Sequence, residues 1–173
     1  MRFVNAPIAA KLAGLSTDKL REWTSRRALV PADVRPKAKG SPAQFSWQTV
    51  LVLRIAVLLR EDFHLELQAH KSSFRRLRTT LRSTSFIALW GRRLALAPGG
   101  HWRITDSDDS TARSILLVDL DPHLNVLRDG FALADASVTA GQLDLFTLPN
   151  VSGRGASRAR AKISATDRER RTA

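Results

Sequence analysis

Residues 8–59 constrain the fold more than any other stretch of this chain. They read IAAKLAGLSTDKLREWTSRRALVP, then a basic loop rich in proline and glycine, then AQFSWQTVLVLRIAVLL. Ile8, Ala9 and Leu12 share one face of a short helix predicted over about residues 7–13, with Pro7 suited to its first turn. Gly14 ends that helix as the residue that most readily takes a positive φ, and Leu15 plugs the core beneath the turn. Ser16 or Thr17 caps a second helix, with Asp18 favourable near its positive end, running to about Arg27. Leu20, Trp23 and Thr24 form the inward strip of this helix, and Asp18, Lys19, Arg21, Glu22, Ser25 and Arg26 face out.

Pro31 breaks the helical pattern. The segment VPADVRPKAKGSPAQF then supplies three prolines, one glycine and the cations Arg35, Lys37 and Lys39, which predicts an extended, hairpin-like loop. Ser46 caps the next helix. Nine of the ten residues over 50–59 are apolar, so this helix is buried on more than one side. With Arg54 inside it, the block is far short of the roughly 20 residues that span a bilayer. Beyond it, a helix is predicted over about residues 65–82. Leu67, His70, Phe74, Leu77 and Leu81 recur there at spacings of 3, 4, 3 and 4, with Arg75, Arg76, Arg78 and Arg82 off the seam. That pattern fits either a dimerisation seam through Leu67, Phe74, Leu77 and Leu81 or one amphipathic helix packed on its own domain.

Residues 86–148 differ in texture. RLALAPGG, HWRITD, SILLVDLD, NVLRDGFAL and QLDLFTLP read as short strands. Pro98-Gly99-Gly100, the Asp-rich run 106–110, Asp121-Pro122 and Asp129-Gly130 read as breaks between them. Residues 150–173 are basic and nearly free of aliphatic residues, the composition of a disordered tail. The expected fold class is therefore α+β. Residues 1–62 would form a winged helix-turn-helix, 63–82 a linking or dimerising helix, 83–149 a small β-rich module and 150–173 the tail.

Charge follows the same division. The net charge of +12 is split as +10 over residues 1–82, −3 over 83–149 and +5 over 150–173. Basic ends around a mildly acidic middle predict two segments that face a polyanion and one with another task. No cysteine is present, which excludes disulfides and thiolate chemistry and fits a reducing cytoplasm; a DNA-binding chain there is expected to be nucleoid-associated. The first residues carry no long apolar run and predict no secretory signal.

The motif order resembles the N-terminal DNA-binding domain of the MerR family. The residues that carry it are Gly14-Leu15-Ser16, Leu20-Arg21, Trp23, Arg26 or Arg27, Leu29-Val30-Pro31 and Phe45-Ser46. Measured against that pattern, the exit glycine is replaced by Arg27 or Ala28, Gln44 stands for the usual wing arginine, and Phe45 for the usual tyrosine. The later leucine-rich helix, the ILLVD run and the QLDLF run are similar, more loosely, to MerR-type proteins linked to toxin–antitoxin loci. The resemblance implies a sequence-specific regulator of transcription that binds double-stranded DNA as a homodimer.

The residues support that reading on their own chemistry. Lys19, Arg21, Arg26 and Arg27 on the second helix suit guanine edges or phosphates in a major groove, with Arg21 and Arg26 the favoured readers. Arg35, Lys37 and Lys39 suit phosphate neutralisation by the loop. Leu20, Trp23 and Phe45 are core anchors. The alternatives are an antitoxin-like adaptor, whose β-rich module takes a protein partner such as a toxin or polymerase, and an architectural factor that bends DNA. A small effector is a further partner for that module. No enzyme constellation emerges. Asp119 and Asp121 follow an apolar strand without the hydroxyl residue that a phosphatase of the haloacid dehalogenase type needs, and Asp106, Asp108 and Asp109 lack the glycine and terminal glutamate of a calcium loop. His64, His70, His101 and His123 are scattered, so no metal or cofactor is expected.

Overall fold

A computed structural model describes residues 2–36, 41–106 and 115–132. The chain divides into residues 1–140 and 141–173, and all described residues belong to the first unit. The architecture is mixed α+β: five helices and two small antiparallel sheets among the described residues.

Strand β1 (Phe3–Asn5) opens the chain and leads directly into α1 (Ala6–Ala13). Asn5 caps α1 by accepting from the Ile8 amide at 3.2 Å, one residue earlier than the start expected from Pro7. Gly14, at φ +75°, closes α1 in the left-handed conformation, and its amide reaches back to the carbonyls of Ala10 and Lys11. Ser16 then caps α2 (Thr17–Arg21) through the Lys19 amide at 3.2 Å. From Glu22 to Arg26 the helix widens into a π turn before the chain leaves it. Strand β2 (Gln44–Ser46) pairs antiparallel with β1, in register Val4 to Phe45, and Val34 forms an isolated antiparallel bridge to Gln44 that closes the intervening loop at its base. β1 was not foreseen: three residues are too few to show an alternation.

Helix α3 (Trp47–Glu61) starts at a Ser46 cap and is buried along most of its length. The chain then turns through His64, and a 3-10 turn (Leu67–His70) feeds α4 (Lys71–Arg82). The helix expected over 65–82 is thus two pieces. Leu67, Phe74, Leu77 and Leu81 are all buried within this same chain, 6 % exposed or less. Phe74 meets Trp102 at a ring separation of 6.4 Å. These four side chains pack into the chain's own core, as the reading of one amphipathic helix packed on its own domain expects.

Strands β3 (Arg93–Ala97), β4 (His101–Thr105) and β5 (Leu116–Asp119) form a sheet in the order β4–β3–β5, both pairings antiparallel. Three of the expected strands are therefore present. The segment NVLRDGFAL is not a strand: it belongs to α5 (Asp121–Phe131), with Pro122 in its first turn. Leu124, Leu127 and Phe131, spaced by 3 and 4, bury one face of that helix. Gly130 is not a turn glycine either. A Cβ there would sit 2.3 Å from a Leu12 methyl, so the missing side chain lets α5 lie against α1. The segment QLDLFTLP and the basic tail lie outside the described residues.

One hydrophobic cluster joins buried residues from Ala9 to Phe131. The boundaries expected at residues 62 and 82 do not interrupt it. α3 is the shared spine, with α1 on one side and α4 and α5 supplying the cover that its all-round apolar sequence demanded. No helix among the described residues is long and apolar enough to cross a membrane.

Candidate nucleic-acid interface

The segment α1–Gly14–α2 has one face fixed in the core. Leu20 and Trp23 are 1 % and 2 % exposed, and Thr24 is buried beside them. Phe45 is 1 % exposed and anchors β2 against the same core. With that face fixed, helical geometry turns the others outward. The Arg21 side chain is 70 % exposed and lies 3.9 Å from Asp18, a loose pair at the surface. Arg26 is exposed and has no ion pair among the described residues. Arg35 is exposed on the following loop. Lys37 and Lys39 lie outside the described residues.

Two of the predicted readers are engaged elsewhere. Glu22 takes the Lys19 ammonium at 2.9 Å and the Arg27 guanidinium at 2.6 Å. The Lys19 hydrogen bond and the cations of Arg27, Lys19 and Arg60 hold the Glu22 carboxyl below its ordinary range. Glu22 therefore subtracts from the positive charge that Lys19 and Arg27 present, and leaves Arg21 and Arg26 as the outward guanidiniums on this segment.

The loop after the helix is held by a residue the sequence did not single out. Asp33 Oδ2 accepts from the Ser46 amide at 2.7 Å, and Oδ1 accepts from Arg78 at 2.6 Å and Arg82 at 3.2 Å. Burial alone would raise this carboxyl. The Ser46 amide, the Thr49 hydroxyl and Arg78 outweigh it and hold Asp33 at about 2. Arg78 also donates to the Pro31 carbonyl at 2.7 Å, and Lys71 donates to the Arg27 carbonyl at 3.1 Å. Lys71, Arg75, Arg78 and Arg82 thus form one stripe along α4 that runs beside the exit of the α2 segment. Three of the four tie down backbone or Asp33; Arg75 is exposed. The available signal was that Asp33 is the sole acidic residue between Glu22 and Glu61.

A second polar junction lies behind α1. Arg54, the one charge within the apolar block of α3, donates to the Leu12 carbonyl near the end of α1 and, at 3.3 Å, to His123 Nδ1 on α5. Burial first and the Arg54 charge second push His123 down to about 4, with Asp119 opposing. The acidic pair at the end of β5 is occupied with backbone. Asp119 accepts from the Asp121 amide at 3.1 Å, and Asp121 accepts from the Gly91 amide at 2.8 Å. Among the described residues no three or more histidine, aspartate or glutamate side chains cluster as metal ligands would.

No family of known proteins matches the chain, and no characterised protein matches it.

Proposed function

We propose that the chain is a sequence-specific double-stranded DNA-binding regulator of transcription, of MerR-like type, acting as a homodimer. In this reading α1, the Gly14 turn and the α2 segment form a helix-turn-helix, and residues 31–46 form its wing. The observation that carries it is the placement of Arg21 and Arg26: both project outward from a short helix whose opposite face, Leu20 and Trp23, is locked in the core. A helix held in that way can enter a major groove without disturbing the fold, and arginine is the side chain that most often reads guanine there. Arg35, beside a loop base pinned by Asp33, suits a phosphate contact. Because Leu67, Phe74, Leu77 and Leu81 are buried in the chain's own core, the proposed homodimer would use another surface.

The test is competition between labelled DNA from upstream of the protein's own gene and a scrambled duplex of equal length, at near-physiological salt. We expect the specific fragment to win by at least about a hundredfold, a threshold set below the roughly thousandfold or greater preference typical of specific sites. Arg21→Ala and Arg26→Ala should each cost about 1–3 kcal/mol on the specific fragment and much less on the scrambled one. Arg35→Ala should weaken both alike and reduce the dependence on salt. Equal, salt-sensitive binding to both duplexes would leave a basic polyanion binder and end the regulator reading.

A further inference from the structure

A cleft of about 310 Å³ opens between the end of the α2 segment, the last turn of α3 and the 3-10 turn before α4. Trp23, Leu29 and Leu67 make its buried floor, and Arg27, Arg60 and His64 stand on its exposed rim. We propose that this cleft binds a small organic carboxylate, its charge held by Arg60 with Arg27 and its body seated on the apolar floor. The proposal goes beyond the DNA reading and does not rest on it.

Four observations converge. The volume lies at the lower end of small-molecule sites, which suits a ligand of one ring or less. Arg60 has no hydrogen bond or ion pair among the described residues; its guanidinium lies over the Trp23 ring at 5.9 Å from the centroid. A planar guanidinium held over an indole face at this distance can offer two parallel hydrogen bonds to a carboxylate. The one carboxylate in the lining, Glu66, is turned to its own backbone and accepts from the Gln68 amide at 3.4 Å. Arg27 is shared with Glu22, which leaves Arg60 as the guanidinium without an ion pair, and one such fork matches a monoanion better than a phosphate dianion.

The backbone around the cleft is also unusual. The π turn Glu22–Arg26 delivers Trp23 and leads into Arg27. Ala28 (φ +46°) and His64 (φ +51°) are two of the three non-glycine residues with positive φ among those described; His64 lines the cleft, and Ala28 lies between the lining residues Arg27 and Leu29. Left-handed conformations of this kind persist where the surroundings over-determine them, and they gather at ligand clamps. π turns inside helices are likewise frequent at functional sites. Because Arg27 faces both Glu22 and the cleft, a bound carboxylate would draw it from Glu22 at the end of the segment that carries Arg21 and Arg26.

The experiment titrates the full chain with acetate, benzoate and phenylacetate, each beside its matching amide, by calorimetry and by nuclear magnetic resonance of the tryptophan indoles. We expect saturable binding of at least one carboxylate and about tenfold or weaker binding of its amide. Of the four tryptophans, Trp23 should show the largest indole shift on titration. Arg60→Gln should weaken binding at least about tenfold, with Arg60→Lys between the two because it keeps the charge and loses the fork. The proposal is overturned if no carboxylate binds below about 10 mM, short of millimolar affinity. Equal binding of acid and amide overturns it too, as does a Trp23 indole that stays still in the unaltered protein, a readout that needs no variant to fold.

Discussion

Ala28 occupies the position where a helix exit usually carries glycine, and it does so at φ +46°. An L-residue in that conformation is strained by about 1–2 kcal/mol, whereas glycine adopts it freely. Glycine also gains more freedom in the unfolded chain, which takes back about 0.5–1 kcal/mol. Ala28→Gly should therefore stabilise the fold by about 0.5 kcal/mol, a rise of roughly 1–2 °C in melting temperature by calorimetry. Asp33 is the opposite case, a residue the fold cannot replace cheaply. Removing its carboxylate orphans the Ser46 amide and leaves Arg78, 13 % exposed, without its ion-pair partner. Breaking a fully buried pair costs about 3–5 kcal/mol, and Asp33→Ala at this half-buried site should cost nearer 2 kcal/mol. The sign with pH follows from its low folded value of about 2 against the ordinary 3.8. The unfolded chain takes up a proton first, so the contribution is complete above about pH 4 and is lost as pH falls toward 2. Urea midpoints of the two proteins should therefore converge over that window; a constant gap down to pH 2 would show that the carboxylate's charge is not what holds the loop.

At the scale of elements, local signals decided what could be read in advance. Gly14, Ser16 and Ser46 each act within four residues of themselves, and all three stand where a cap was expected. The outward placement of Arg21 and Arg26 was legible for the same reason, because Leu20 and Trp23 fix the phase of the helix. Helix α5 was misread because its signals are ambiguous without a neighbour. Asp129-Gly130 looks like a turn, and only the approach of Leu12 explains why a glycine sits inside a helix there. The Asp33–Arg78 pair joins residues 45 apart in sequence, which no local pattern encodes. The junction of α1, α3 and α5 through Arg54 and His123 is of the same kind, and it makes a prediction. His123 titrates at about 4 in the folded protein, below the ordinary 6.5. As pH falls from 6.5 to 4 the unfolded state binds a proton that the folded state refuses, so stability present above pH 6.5 is lost across that range. Discounted for the partial exposure of the ring, the loss should be about 1–2 kcal/mol. His123→Gln should flatten that part of the stability profile; an unchanged slope would place the titrating group elsewhere.

Over the whole molecule, the continuity of the core matters more than the change of texture along the sequence. Composition suggests that residues 1–62 could stand alone, yet α3 is apolar on several faces, and α4 and α5 bury what α1 leaves open. Leu124 and Leu127 are fully buried, and α5 packs on both α1 and α3, the elements that position the α2 segment. The segment proposed to meet DNA is thus stabilised by a helix about a hundred residues later in the chain. Leu127→Ala, far from any proposed contact, should cost about 2–5 kcal/mol. It should shift helical circular dichroism and tryptophan fluorescence to the same lower denaturant midpoint, because both report one cooperative unit. A fragment of residues 1–82 should show no cooperative melting, since it would expose the apolar faces of α1 and α3 that α5 covers. Two separate transitions in the full chain, or a fragment that melts sharply, would mean that the N-terminal elements fold autonomously and that α5 is an addition rather than a part of their core.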